Sequence, residues 1–290
     1  MATRRNAIGG FVVTVFVIAA TLLAAPATAA TIFTETFNYT VGTNLAGQNG
    51  GSGFSGAWSG GDSTIVAGLG GTGNAVQIGS SIASRPLSAT TSTSGTSIYL
   101  TYIMNSSNFS GGNYTGISLW NGGTEEMFLG IPYQAQKFGF DAHAGNGPAD
   151  IRSVDFTPAA NLSYLIAVGL MPSATSGKVD VKMWATSNLA VNPDTLVAGA
   201  PNASLLGVKN NFSFNTLKVN GDYAGSLKVA GIASSPNVSE AAAVTVATVP
   251  EPSTLALAGL GVVVAAALSR KKNGAAGTRT QDQRIKSPML

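Results

Sequence analysis

Few side chains in this 290-residue sequence are suited to catalysis, and their spacing is poor for it. The sequence has one histidine, His143, and no cysteine, which excludes thiolate chemistry and zinc sites built on two or more histidines. Residues 141–148 around His143 are rich in glycine and end in proline, which predicts an exposed loop. No Gly-x-Ser-x-Gly element accompanies the histidine, so a Ser-His-Asp hydrolase is not indicated.

Paired carboxylates are the next candidate chemistry, because many sugar-cleaving enzymes use two of them about 5–10 Å apart. Glu125 and Glu126 are adjacent, and a strand would point them to opposite faces. Glu35 and Glu240 are isolated in the sequence. We therefore predict no catalytic residues and a non-enzymatic protein, with a polysaccharide-active enzyme as the weaker alternative.

Oxygen ligands suitable for calcium occur in the predicted loops. They lack the spacing of an EF-hand or of a nonapeptide calcium repeat. We expect no metal site and no cofactor, and a structural calcium ion stays open as the alternative. The candidate ligands are Asp62, Asp141, Asn146, Asp150 and Asp222.

The three tryptophans are candidates for stacking against sugar rings. In residues 178–183 valine and methionine alternate with lysine and aspartate, which predicts a half-buried strand. Trp184 would then fall on the polar face of that strand, where it is the candidate carbohydrate-binding residue. Trp58 and Trp120 are expected to be core or loop anchors, and structural roles are favoured over sugar binding for the three tryptophans.

Residues 31–234 alternate short β-branched and aromatic runs with Gly/Ser/Asn/Thr clusters, without a sustained amphipathic helix. This pattern predicts an all-β fold, an antiparallel sandwich. Residues 42–62 are glycine-rich but lack the Lys-Ser/Thr of a phosphate-binding loop, so we predict a surface loop pinned by Phe54 and Trp58. Strands are predicted near residues 98–104, 116–120, 126–131, 138–141, 151–156, 162–170, 178–183, 215–219 and 227–232.

The charge of the body differs from that of the whole chain. Between residues 31 and 249 there are eight Lys/Arg and eleven Asp/Glu, a net charge of −3, whereas the whole chain carries +3. A mildly acidic body without a basic stripe argues against nucleic acid as a partner.

The N-terminal 30 residues read as a secretory signal peptide with a helical apolar segment. Arg4 and Arg5 precede an apolar stretch at residues 11–25, and small residues follow. We predict cleavage by signal peptidase after Ala29 or Ala30. At the other end of the body, residues 235–249 have little charge and few large apolar groups, so a linker is predicted there.

The C-terminal region combines a short polar motif, an uncharged apolar run at residues 255–268 and a basic cluster. Fourteen helical residues span roughly 21 Å at about 1.5 Å each, short of the roughly 30 Å of a bilayer core. The run therefore predicts a short transmembrane helix that serves as a temporary anchor in the inner membrane, with its basic end in the cytoplasm. Residues 273–290 read as a disordered basic tail. The motif is Pro250, Glu251 and Pro252, and the basic stop is Arg270, Lys271 and Lys272.

Residues 250–272 resemble the PEP-CTERM sorting signal of bacterial surface proteins. The resemblance implies recognition of Pro250, Glu251 and Pro252 by the membrane enzyme exosortase. Residues 33–58 are also similar to the start of a class of PEP-CTERM proteins with concanavalin A-like (laminin G-like) jelly-roll bodies. This resemblance implies that residues 31–234 form an all-β, antiparallel two-sheet jelly-roll sandwich. Residues 226–232 depart from that class, because they lack the acidic pair that often closes its last strand.

The sequence thus predicts an exported protein of the cell surface or extracellular matrix. Its alternative function is that of a carbohydrate-binding module for an extracellular polysaccharide.

Overall fold

A computed structural model of the chain describes residues 31–69, 73–107, 114–132, 138–142, 151–153, 158–221 and 227–241, with the backbone alone at 151–153 and 208. The predicted signal helix, cleavage site, sorting motif, membrane helix and basic tail lie outside these residues. Across the described ranges, no helix has the length and apolarity needed to span a membrane.

The described chain forms two antiparallel sheets. The first sheet has eight strands in the order β12-β11-β10-β5-β14-β3-β2, and β1 also pairs with β14. The second sheet has six strands in the order β4-β13-β6-β7-β8-β9. The strands are β1 Phe33–Glu35, β2 Thr64–Val66, β3 Ala75–Gln77, β4 Ala83–Ser92, β5 Ile98–Ser106, β6 Thr115–Asn121, β7 Thr124–Ile131, β8 Gly139–Asp141, β9 Ile151–Ser153, β10 Ser163–Pro172, β11 Lys178–Thr186, β12 Ala203–Asn210, β13 Ser213–Gly221 and β14 Leu227–Ser235.

The main apolar core of the described residues lies between the two sheets, and a smaller cluster includes Ile103 and Leu165. The main core is built from the alternate, inward-facing residues of both, such as Leu100 and Val181 from the first sheet and Leu119 and Leu217 from the second. The predicted all-β sandwich with two antiparallel sheets is confirmed. Each strand predicted from the sequence overlaps one in the structure, including the alternating β11 and the largely buried β5.

The glycine-rich loop at residues 42–62 packs closely against β1. Gly51 and Gly53 have φ angles of 69° and 80°, and a Cβ on either would lie 2.1 Å from a backbone oxygen of Thr34 or Ile32. Ser52 between them exchanges two backbone hydrogen bonds of 2.9 Å with Thr34. Only glycine permits this approach, because it tolerates positive φ and carries no Cβ.

A buried polar network, here called the N-terminal clamp, joins this loop to β1 and β4. The Glu35 carboxylate is fully buried and accepts hydrogen bonds from Tyr39 Oη at 2.9 Å, Trp58 Nε1 at 2.8 Å and Arg85 Nη1 at 2.5 Å. Arg85 also donates to Gly56 O and stacks over the Phe54 ring at 4.0 Å. The prediction that Phe54 and Trp58 pin the loop is confirmed. The clamp consists of Glu35, Tyr39, Asn49, Phe54, Trp58 and Arg85.

Part of the predicted linker belongs to the folded body. Ser235 is the last residue of β14, and a helical turn follows in which Val238 and Ala241 are buried. The Ser239 hydroxyl also donates to the Asp194 carboxylate. The prediction that the linker begins at residue 235 is therefore wrong, because its small apolar residues pack on the body through residue 241.

Candidate functional site

The outer face of the second sheet carries a set of polar and aromatic side chains. Ile117 and Leu119 of β6 and Leu217 and Val219 of β13 point into the core, so the residues between them point outward. We call these outward side chains, with their neighbours on β7 and before β6, the outer-face cluster. It consists of Tyr114, Ser118, Trp120, Glu125, Lys218 and Asn220.

Hydrogen bonds within the outer-face cluster fix the indole of Trp120. Its Nε1 donates to Ser118 Oγ at 2.7 Å, and Asn220 Nδ2 donates to the same hydroxyl at 2.5 Å. Ser118 and Asn220 are buried beneath the surface, whereas Trp120 is partly exposed. The ring is thus held in one orientation by a polar layer below it.

Charged groups flank the ring. Lys218 Nζ lies 3.3 Å from the centroid of the Trp120 ring, which gives a cation–π contact. Partial burial lowers the pKa of Lys218, while the nearby Glu125 carboxylate opposes that shift. Glu125 accepts a hydrogen bond from Tyr114 Oη at 2.6 Å and another from Asn220 Nδ2 at 3.5 Å. The cluster therefore presents one aromatic ring with an ammonium over one of its faces and a carboxylate on the neighbouring strand.

The exposure predicted for Trp184 is wrong. Trp184 does point away from the inter-sheet core, as the alternation of β11 requires, but only 4% of it is exposed. The helix α1, Pro193–Ala198, and the residue after it cover this face, and Trp184 Nε1 donates to Gly199 O at 3.0 Å. Trp184 is consequently a buried anchor rather than a sugar platform.

Of the other two tryptophans, one lies in the core as predicted and one does not. Trp58 is 2% exposed and belongs to the core, as predicted. Trp120, predicted as a core or loop anchor, instead lies partly exposed on a sheet face. Sequence reasoning missed it, although the same alternation rule applied to residues 116–120 places Trp120 on the face of Ser118, opposite Ile117 and Leu119.

The adjacent carboxylates do not share partners. Glu125 belongs to the outer-face cluster, whereas Glu126 pairs with Lys209 Nζ at 3.5 Å. This arrangement agrees with the expectation that a strand would point the two carboxylates to opposite faces. His143 lies outside the described residues, so the structure does not place it.

Two of the candidate calcium ligands are described. Asp62 accepts hydrogen bonds from the hydroxyls of Ser80 and Ser81 at 2.8 Å each, and these bonds hold the pKa of its carboxyl well below the usual range. Asp141 is buried at the end of β8. Within the described part of the chain, no three His, Cys, Asp or Glu side chains are grouped to hold a metal ion. Asn146, Asp150 and Asp222 lie outside that part.

A match to a known protein family identifies the C-terminal region. Residues 248–271 match the PEP-CTERM protein-sorting motif. The chain carries a PEP-CTERM motif. The predicted Pro250, Glu251 and Pro252 and the basic pair Arg270 and Lys271 fall within the match. The PEP-CTERM motif indicates an exported protein of the cell envelope that is processed by exosortase.

The body is similar to several solved β-sandwich domains at low identity. The globular domain of T. cruzi calreticulin is 10% identical, with 73% of this chain and 90% of that chain covered and a TM-score of 0.46. The carbohydrate recognition domain of Emp46p in its metal-free form is 12% identical, covering 62% and 88%, with a TM-score of 0.37. The Trypanosoma rangeli sialidase in complex with DANA is 12% identical over 64% of this chain and 29% of that chain, with a TM-score of 0.35. No curated protein matches the sequence.

Proposed function

We propose that this PEP-CTERM protein is a non-enzymatic component of the cell surface or extracellular matrix, and that its body binds an extracellular polysaccharide. Signal peptidase would remove the N-terminal segment, and the C-terminal apolar helix would hold the protein in the inner membrane until exosortase acts. The polysaccharide would lie on the outer-face cluster of the second sheet.

The observation that carries this proposal is the fixed, partly exposed ring of Trp120. A sugar presents C–H groups on one face of its ring and hydroxyls around its edge, so it is matched by an aromatic surface with polar groups at the rim. The Ser118 hydroxyl holds the indole in place at 2.7 Å, which reduces the entropy lost on binding. Glu125 supplies an acceptor next to the ring, and Lys218, whose ammonium lies over one ring face, supplies a donor. The sugar would stack on the opposite face of the indole.

The arrangement of the carboxylates supports a binding role over hydrolysis. A glycosidase places two carboxyl groups on either side of one bond. Glu125 and Glu126 instead bond to separate partners on separate elements, Tyr114 in one case and Lys209 in the other.

The test is binding of polysaccharide extracted from the host matrix, measured by affinity electrophoresis and by a glycan array. We expect Trp120→Ala to weaken binding roughly tenfold or more, as loss of a central aromatic contact does in other interfaces. Trp184→Phe is the matched control, because Trp184 is buried on the other sheet and its replacement should leave binding unchanged. Equal binding by Trp120→Ala and the parent protein would refute the assignment.

A second measurement addresses enzymatic activity on the same polysaccharide. We expect no new reducing ends after prolonged incubation with the protein. Release of reducing ends that stops in Glu125→Gln would show a hydrolase and contradict the non-enzymatic proposal.

A further inference from the structure

The ring of Trp120 is one member of a longer row of side chains that crosses the second sheet. Trp120 of β6 lies opposite Thr216 of β13, and Thr216 lies opposite Pro86 of β4. Directly opposed residues of antiparallel strands project from the same face of a sheet. Arg85 and Leu87, on either side of Pro86, are buried, so Pro86 points outward. The three residues therefore stand side by side on the outer face.

The row continues past the edge strand onto the glycine-rich loop. Ser55 N donates to Pro86 O at 3.1 Å, so this part of the loop runs beside β4 as another strand would. Ser55 and Pro86 are exposed, and Thr216 and Trp120 are partly exposed. Neighbouring strands lie about 4.7–4.9 Å apart, so the four positions span roughly 14 Å. We call Trp120, Thr216, Pro86 and Ser55 the transverse row.

The sheet provides this floor on one side of Trp120 only. On the other side Trp120 pairs with Glu125 of β7. The next strand, β8, pairs with β7 only at residues 128–130, so no described strand lies beyond Glu125 at this level. The Glu125 carboxylate, which accepts from Tyr114 Oη at 2.6 Å, stands at that end. A ligand longer than the indole therefore finds its floor across β13 and β4.

The side chains of the transverse row alternate between apolar rings and hydroxyl groups. The indole of Trp120 is followed by the hydroxyl of Thr216, the pyrrolidine ring of Pro86 and the hydroxyl of Ser55. A sugar chain presents the same two kinds of surface, C–H faces and hydroxyl groups, along its length.

Two contacts show what the row leaves open to a ligand. The Thr216 hydroxyl donates to Asn215 Oδ1 at 3.0 Å, so its lone pairs can accept from a sugar hydroxyl. Lys218 lies level with Ser118, one outward position along β13 from Thr216, so its backbone borders the row and does not interrupt it. The four residues of the row are all uncharged, so contact along it does not depend on the charge of the ligand.

We propose that the transverse row binds consecutive residues of one polysaccharide chain, which crosses the strands from Trp120 towards β4. The inference rests on the proposed function, because it takes Trp120 as the first contact. It adds Thr216, Pro86 and Ser55 as contacts, and it makes the ligand an oligosaccharide segment and not a single sugar. A monosaccharide fills only the Trp120 end of the row, so affinity depends on chain length.

The experiment measures affinity against chain length with the full chain. The probes are the component monosaccharides and size-separated oligosaccharides obtained by partial hydrolysis of the host matrix polysaccharide. Dissociation constants come from calorimetric titration, and from NMR titration for the weakly bound monosaccharides. We expect affinity to rise as residues are added and to level off once the row is filled.

Pro86→Ser is the decisive variant. It removes an apolar contact that is separated from the indole by Thr216, so affinity for the longest fraction should fall about threefold to tenfold. Affinity for the monosaccharides should stay that of the parent, whereas a general loss of folded protein would weaken all fractions alike. The matched control is Pro172→Ser, because Pro172 is an exposed proline at the end of β10 in the other sheet. This control should bind every fraction as the parent does.

The outcomes separate this inference from the proposed function. Loss of every fraction in Trp120→Ala, with selective loss of the long fractions in Pro86→Ser, supports both. The transverse row is overturned, and the role of Trp120 stands, if the parent binds monosaccharides as tightly as the longest fraction or if Pro86→Ser binds the longest fraction like the parent. If no fraction binds the parent, the proposed function fails and the transverse row fails with it.

Discussion

Replacement of Glu35 by glutamine tests whether the N-terminal clamp holds the fold together. The carboxylate accepts from Phe37 N, Tyr39 Oη, Trp58 Nε1 and Arg85 Nη1, all between 2.5 and 2.9 Å. Glutamine fills the same space but removes the negative charge and turns one acceptor into a donor. The amide NH₂ of glutamine would then face N–H and O–H groups that also donate. The guanidinium of Arg85 would stay buried without its counter-ion.

The size of the effect follows from the burial of both partners. Glu35 and Arg85 are 0% and 2% exposed, so solvent cannot compensate the broken pair. Breaking a buried pair by removing one partner costs about 3–5 kcal/mol, a large share of the roughly 5–15 kcal/mol of a typical domain. For a body of this size the melting temperature should fall by roughly 6–20 °C.

Urea unfolding followed by tryptophan fluorescence and circular dichroism measures this loss. The control is Glu240→Gln, whose partly buried carboxylate accepts one hydrogen bond from Ser235, and it should cost about 1 kcal/mol or less. The double variant Glu35→Gln/Arg85→Met should lose less than the sum of the two single changes, because neither charge is then stranded. A loss below about 1 kcal/mol for Glu35→Gln, or additive losses in the cycle, would refute the reasoning.

Three further predictions concern the loop, the alkaline limit and the C-terminus. Gly53→Ala should lower the melting temperature far more than Gly95→Ala. Both glycines have φ of 80°, but only at Gly53 would the new Cβ collide, 2.1 Å from Ile32 O. Equal decreases in melting temperature would contradict the close approach. Burial and the Glu35 charge raise the pKa of Tyr39 to about 12. The contribution of neutral Tyr39 to the free energy of unfolding is therefore intact below its unfolded pKa near 10 and is lost between pH 10 and about 12. Tyr39→Phe should reduce the pH dependence of the free energy of unfolding in that range, and an unchanged slope would contradict this. Mass spectrometry of the protein from an exosortase-bearing host should show residues beyond about Pro252 removed, and a retained C-terminal tail would contradict processing.

Much of the fold was predictable because the strands that build the core carry strong local patterns. The alternation of β11 and the apolar run of β5 reflect burial on one face and on both faces. The three-residue strands β1, β2 and β3 and the eight-residue β12 were missed, although the equally short β8 and β9 were predicted. The edge strand β4 was missed because it contains Pro86 and a serine- and threonine-rich half, which read as a loop.

The candidate sites were less predictable, because a strand pattern tells which face a residue occupies and not what covers that face. Trp184 is on the predicted face, yet α1 lies over it. The outer-face cluster joins residues such as Tyr114, Glu125 and Lys218 that are apart in sequence. Their proximity depends on the pairing of β6 with β7 and β13, which no local signal encodes.

The position of β14 sets the order of events during export. It lies inside the first sheet, between β5 and β3, and it also holds β1. A chain that crosses the membrane with its N-terminus first must deliver this strand late, so β1 and β5 expose unpaired edges until then. Residues 236–247 separate the end of β14 from the PEP-CTERM motif. The strand that completes the first sheet and the sorting motif are thus neighbours in the sequence, so no C-terminal truncation can remove β14 without also removing the motif.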